Sequence, residues 1–342
     1  MVRLSQIVKK DSAQPSTPVR AATTPLPGQA PGRRIQPEAG IKQPLPSLPE
    51  DRHGSRLIYE DLLAAAQRCL ESVSQQQSLI LGDIPVLIEQ VIDRLVIDDP
   101  ELIRLARLTH ERFSLAAHSV NVAILTMRVG LELGMKPVSL IDWGMAALLH
   151  DIGMTKISHL LQVSEHLNPE EVEAMREHPL WGERIARRCS ELPSLVREVI
   201  IQEHERADGS GYPNRLAGAD INEHAQLVGL MDVYEALTHN RPYRQAVLPA
   251  EAARVLTGDY RRAFSRKMLR AFLHALPAYP VGSWVRLSTG ALAMVIANHE
   301  SALFSPAVQV FRGRDAELAT PETLDLLREP GISISEAVAA PV

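Results

Sequence analysis

Apolar residues recur at helical spacing through most of the chain. Ile84, Leu87, Ile88, Val91, Ile92 and Leu95 fall at steps of three and four, which puts them on one buried helical face. Asp99-Pro100 follows as a cap with proline at the first helical position, where a missing N–H costs nothing. Helices are predicted at 100–112, at 115–133 (ended by Gly134) and at 137–149. Another starts at Asn168, whose side chain can cap while Glu171 reaches back to it. The same period continues over 193–204, 223–238 and 249–275. After Pro277 it gives way to alternation. Val281 to Ile296 reads as a β-hairpin around Ser288-Thr289-Gly290, and Val308-Gln309-Val310-Phe311 adds a third strand.

Residues 11–50 have little apolar periodicity and hold nine of the 24 prolines, the signature of an extended, disordered tether. Four segments follow: a Pro-rich tether over 1–54, a helical lead-in over 55–98, a helical domain over 99–276, and a small β-rich appendage with a tail over 277–342. The fold class is all-α, with the β unit packed on the helices. Aromatic residues are only 4% of the chain, so Leu, Ala, Val and Ile must supply a core of helix packed on helix. The apolar stripe from Ile84 to Leu95 serves that core or a face between two chains of a homodimer.

Charge narrows the function. The first 50 residues carry seven Lys or Arg against three acids, a charge of +4, so the rest stands at −9 within a total of −5. An acidic body is not a DNA-binding surface, although a few local Arg can still hold a small phosphorylated ligand. Two cysteines, Cys69 and Cys189, make no disulfide framework and suit a reducing compartment. No apolar run approaches the roughly 20 residues of a membrane span, and Met1-Val2-Arg3-Leu4 lacks a signal-peptide block. The expected location is cytoplasmic.

Candidate chemistry lies in scattered His and Asp residues. His150-Asp151 closes an apolar helix, His118 sits inside the helix before it, and His178 opens a later one. Glu203-His204 and Asp232 supply further donors, so five helices each bring a ligand toward one point. Imidazoles with carboxylates suit transition metals, and one carboxylate can bridge two cations. A lone histidine is usually structural; the ordered series carries the weight. Beside it, Asp208-Gly209-Ser210-Gly211-Tyr212-Pro213 forms a glycine-rich turn.

The series His118-Ser-Val, HDIG at 150–153, HPxxG at 178–182, HERxDGSGYP at 204–213, then DVYEALT and RPYR over 232–244, resembles the HD-GYP family, a subgroup of the HD-domain metal-dependent phosphohydrolases. The resemblance covers about residues 95–275 and implies an HD-domain helical bundle that holds two or three metal ions, often iron or manganese. It implies hydrolysis of cyclic di-GMP to pGpG or GMP by a hydroxide that two metals activate. By position the metal ligands would be His118, His150, Asp151, His178, His204 and Asp232, with Asp151 the bridge and central catalytic group. Tyr212, Arg241 and Arg244 correspond to positions that contact substrate. In the family the GYP turn also meets diguanylate cyclase domains.

Two residues depart from the family pattern. Met154 stands where a phosphate-binding Lys is usual, and Glu203 stands where the family has the first of two adjacent histidines. A carboxylate is a competent ligand for iron or manganese, so Glu203 joins the expected ligand set and makes the site harder. Ser114 occupies the place where three-metal members carry Glu, which favours two metals here. Met154 and Glu203 also leave an alternative open, a catalytically impaired receptor for cyclic di-GMP or a signalling scaffold. Hydrolysis of another cyclic nucleotide is a third reading.

Overall fold

Proline in the first turn or a polar cap starts most of the helices, and the chain follows this punctuation. The computed structural model describes residues 52–338 apart from 77, 109–112, 163–167, 243, 300–301, 303 and 312–320. Residues 1–51 of the tether expected over 1–54 lie outside the described residues, and residues 52–54 are helical, so the helical body begins earlier than expected. Asp99 accepts a hydrogen bond from Glu101 N, and Asn168 and Glu171 make the expected reciprocal pair.

The helices are α1 (Arg52–Ser74), α2 (Ile84–Val96), α3 (Pro100–Ala106), α4 (Leu115–Glu132) and α5 (Pro137–Leu149), followed by a 3-10 segment, Ile152–Gln162. Then come α6 (Pro169–Arg176), α7 (His178–Ala186), α8 (Ser194–Gln202), α9 (Glu223–Thr238), α10 (Pro249–Gly258) and α11 (Arg266–Ala275). The six apolar residues of α2 are all buried, and α2 packs against α1 and α5. Each such side chain contributes about 1.5–3 kcal/mol. The stripe thus belongs to the core of one chain.

Two helices differ from expectation. The one begun by Pro100 ends at Ala106. The single helix expected over 249–275 is two, because Gly258 ends α10 and Ser265 caps α11 by accepting from Met268 N. The break has a use: the carbonyl of Ala263 accepts from Ala207 N, next to the glycine-rich turn.

The C-terminal unit is an antiparallel sheet in the order β4-β3-β2-β1-β5. Its strands are β1 (Trp284–Leu287), β2 (Leu292–Ala297), β3 (Ala307–Phe311), β4 (Glu322–Asp325) and β5 (Ile334–Val338). The expected hairpin is β1 and β2, with Val285 opposite Ala293, and β3 pairs with β2. Neither β4 nor β5 was expected; Glu322–Asp325 lies at a sheet edge with Leu324 its one apolar residue, so alternation is weak there. Val285, Ala293, Val295 and Val308 join the same core as the helices. The described residues form one compact unit, and none of their helices is long and apolar enough to cross a membrane.

Candidate metal centre

Helix ends deliver most of the site. The apolar α5 ends in His150-Asp151, and α8 ends in Glu203-His204. Both C-termini add partial negative charge and so favour a cation between them. His178 opens α7, His118 lies one turn inside α4, and Asp232 sits midway along α9. Ser114 is the cap of α4, accepting from Ala117 N at 3.4 Å.

Asp151 stands at the middle. Its Oδ1 lies 3.2 Å from His178 Nε2, while its Oδ2 lies 3.4 Å from His118 Nε2 and 3.6 Å from His150 Nε2. His178 Nε2 is also 3.3 Å from Glu203 Oε1 and 3.1 Å from His204 Nε2. Asp232 Oδ1 is 3.3 Å from His118 Nε2. Two groups result, in each of which one ligand atom per residue lies within 4.8 Å of the others: Asp151, His178, Glu203 and His204, and His118, His150 and Asp151.

The other ring nitrogens are held. His150 Nδ1 donates to the carbonyl of Ala147 at 2.7 Å, His178 Nδ1 to that of Met175 at 2.6 Å, and His118 Nδ1 to Glu235 Oε2 at 2.5 Å. Each bond leaves Nε2 facing the centre, the atom that a metal-binding imidazole offers. Two buried atoms, His150 Nε2 and Glu203 Oε2, have no hydrogen-bond partner and face each other at 3.6 Å. Orphaned buried polar atoms are costly, and a cation between them satisfies both. Four carboxylates (Asp151, Glu203, Asp232 and Glu235) among four imidazoles fit divalent ions.

Burial and mutual charge pull the protonation states apart. Burial works against charge on Asp151, yet His150, His118 and His178 hold it well below the usual carboxylate range. Burial likewise opposes charge on His178, but its hydrogen bonds to Asp151 and Glu203 raise it to about 10. Burial and the neighbouring His178 push His204 down to about 3, so one of the two facing imidazoles is neutral. Burial raises Glu203, while Asp232, despite burial, is lowered to about 2 by His118.

The substrate candidates divide. Tyr212 stacks on His204, centroids 4.7 Å apart at 20°, and its N–H donates to the carbonyl of His204. Arg241 donates to Glu235 Oε2 at 2.9 Å and lies over Phe113, with its Cζ 4.2 Å from the ring centre, so its guanidinium stands beside His118. Arg244 turns away. It donates to the carbonyls of Ala236 and Leu237 at the end of α9 and to that of Gln245 beside it, a role of closing the helix. Met154 is buried with Ile157 and Leu160 against Leu115, Met175 and Trp181.

The sequence reading gave no role to Glu235, Asn121 or Glu205. Glu235 lies one turn beyond Asp232, and Asn121 one turn beyond His118, spacings that put them on the ligand faces. Glu205 is fully buried and accepts from Asn214 N and Leu216 N at 2.7 and 2.9 Å, which ties down the turn after Tyr212. Arg206 braces the same turn through the carbonyls of Glu203 and Glu205, and Asp208 through Ser210. His239 ends α9 and is buried, with Nε2 3.4 Å from Asn121 Nδ2.

Comparison with known proteins gives a consistent result. Residues 89–266 match the HD domain family. The chain is 30% identical to the cyclic di-GMP phosphodiesterase PA4108 of Pseudomonas aeruginosa over 81% of its own length and 67% of that protein. It is 35% identical to a cyclic di-GMP phosphodiesterase of Thermotoga maritima over 46% of its own length and 43% of the relative. The chain thus spans two thirds of the first relative and less than half of the second. The solved structure of Bd1817, a HDG"Y"P protein from Bdellovibrio bacteriovorus, superposes with a TM-score of 0.56 at 18% identity, covering 68% of this chain and 74% of that one. That likeness is one of fold.

Proposed function

Because the chain belongs to the HD-GYP proteins of the HD-domain family, we propose that it is a metal-dependent phosphodiesterase acting on cyclic di-GMP, giving pGpG or GMP. The observation that carries the reading is the division of Asp151, one oxygen toward His178 and the other toward His118 and His150. A carboxylate so placed can serve two cations. Two divalent ions of the iron or manganese type, when bound, would lower the pKa of an attacking water and neutralise phosphate charge. His118, His150 and Asp151, with Asp232 beside them, would hold one; Asp151, His178, Glu203 and His204 would hold the other. Glu203 contributes a hard oxygen suited to those metals.

Arg241 supplies the cation for the phosphate oxygens, and Glu235 and Phe113 keep it in place. Tyr212 offers an aromatic face fixed by His204 and the braced turn. The relatives do not favour the receptor alternative, and Glu203 keeps a metal-binding donor where the family has a histidine.

Incubation of the full chain with cyclic di-GMP, followed by separation of the nucleotides, tests the proposal. Formation of pGpG or GMP is expected, with 3′3′-cGAMP as the comparison substrate in a parallel reaction. Intact cyclic di-GMP beside cleaved 3′3′-cGAMP would reassign the substrate, and two intact substrates would sink the reading.

The two arginines should separate. Arg241→Ala is expected to lower kcat/KM about 100-fold, through loss of a charge-assisted contact worth roughly 1.5–3 kcal/mol. Arg244→Ala should leave kcat/KM within about twofold and lower stability by about 1 kcal/mol, because its bonds close α9. Equal losses of kcat/KM would return Arg244 to the substrate. Met154→Lys places an ammonium in an apolar cluster, so a loss of roughly 1–3 kcal/mol in chemical denaturation is expected without a large gain in kcat. A tenfold gain would show that this position reaches the phosphate.

A further inference from the structure

One polar chain enters the metal centre from outside the segment matched to the HD domain. That match begins at residue 89, well after Tyr59, which lies on α1 and is 5% exposed. The Tyr59 hydroxyl donates to Asn121 Oδ1 at 2.8 Å. Asn121 Nδ2 donates to Glu235 Oε1 at 3.1 Å, and Glu235 Oε2 accepts from His118 Nδ1 at 2.5 Å. The order has one direction. Ionised Glu235 can only accept, so Asn121 must turn its amino group to Glu235 and its carbonyl oxygen to Tyr59. The same carboxylate binds Arg241, so it serves a candidate metal ligand and a candidate phosphate contact at once.

A second buried polar contact fixes α1 one turn earlier. The Ser55 hydroxyl donates to Asp99, whose other oxygen caps α3 by accepting from Glu101 N. In a helix otherwise packed through Leu62, Ala65, Ala66 and Cys69, two buried polar groups cost stability unless both meet their partners. Ser55 therefore ties α1 to the cap of α3, and Tyr59 separately ties it to α4. Ser55 ends on a structural cap, whereas Tyr59 ends on the site.

We propose that Tyr59 and Asn121 are positioning residues of the metal centre, and that α1 completes the hydrogen-bond chain holding His118 in its ligating orientation. A displacement of α1 is then felt at His118 and Arg241, which gives the lead-in helix control over the chemistry. The inference rests on the metal-centre reading above, and not on the identity of the nucleotide.

The test compares Tyr59→Phe with Ser55→Ala in the full chain. Each removes one buried hydroxyl from the same face of α1. The metal-free proteins are titrated with Mn2+ alone, and kcat for cyclic di-GMP is measured after loading. Tyr59→Phe is expected to weaken Mn2+ binding roughly three- to ten-fold and lower kcat by a similar factor, somewhat less than the roughly 10–100-fold for a direct partner of a metal ligand. Ser55→Ala is expected to lower thermal stability but leave Mn2+ affinity and kcat as in the unmodified chain. Equal Mn2+ affinities for the two variants would overturn the proposal. Should the unmodified protein bind Mn2+ but turn over no cyclic di-GMP, the phosphodiesterase reading fails while the Mn2+ comparison still decides the role of Tyr59.

Discussion

Asp151→Ala should remove bound metal and phosphodiesterase activity together. No other side chain belongs to both candidate ligand groups, so its loss weakens both positions at once. Loss of an indirect partner of a metal ligand already costs about 10–100-fold. A shared ligand should cost more, on the order of 1,000-fold in kcat, with metal falling well below the level of the unmodified protein. The carboxylate also offsets neighbouring imidazoles, His178 above all, which it helps raise to about 10. The metal-free variant should therefore be less stable near neutral pH. Metal analysis, steady-state kinetics and circular dichroism on one preparation separate these effects. Retained metal with lost activity would make Asp151 a catalytic group only, and full activity would end the account.

Gly153→Ala should produce the largest loss of stability. A Cβ at this position would lie 2.0 Å from the carbonyl oxygen of His178 and 2.7 Å from the N of Gly182. Both obstacles are backbone, so no side-chain tip can swing aside. The start of the 3-10 segment must separate from α7, and His178 moves with it. A cost of about 3–5 kcal/mol is expected, among the larger effects of single substitutions. For a unit of this size that lowers Tm by roughly 10 °C. Thermal unfolding of the metal-free protein measures this directly, before any loss of ligand complicates the comparison. A Tm shift below about 2 °C would mean that the two backbones do not approach as closely as described.

The steric demand explains why the motif after His150-Asp151 was legible. The glycine lets two ligand-bearing segments touch, and its place in the sequence is visible beside them. Helical spacing was equally legible over α2, α4, α5 and α9, because each buries a broad apolar face with clear end signals. It failed over 249–275, where the apolar positions of α10 and α11 share a compatible period and Gly258 is an ordinary residue until Ser265 is seen to cap. Strand β4 failed for a different reason: it has one apolar residue, Leu324, and gains its partner only from β3.

The candidate ligands were legible as a series, whereas their supports were not. Glu235 looks like a solvated helix charge until His118 and Arg241 are found against it. Tyr59 looks like one more core aromatic, because its partner is 62 residues away in sequence. Arg244 shows the reverse: a phosphate contact by resemblance, with a guanidinium engaged by backbone carbonyls in the fold.

The central claim is a two-metal phosphodiesterase centre arranged around Asp151. The most direct measurement is the content of iron and manganese per chain and the turnover of cyclic di-GMP in one anaerobically purified sample of the full chain. The account predicts about two metal ions per chain together with formation of pGpG or GMP, consistent with a paired-ion hydrolytic centre. A chain that binds neither metal, and leaves cyclic di-GMP intact after loading with either one, would contradict it.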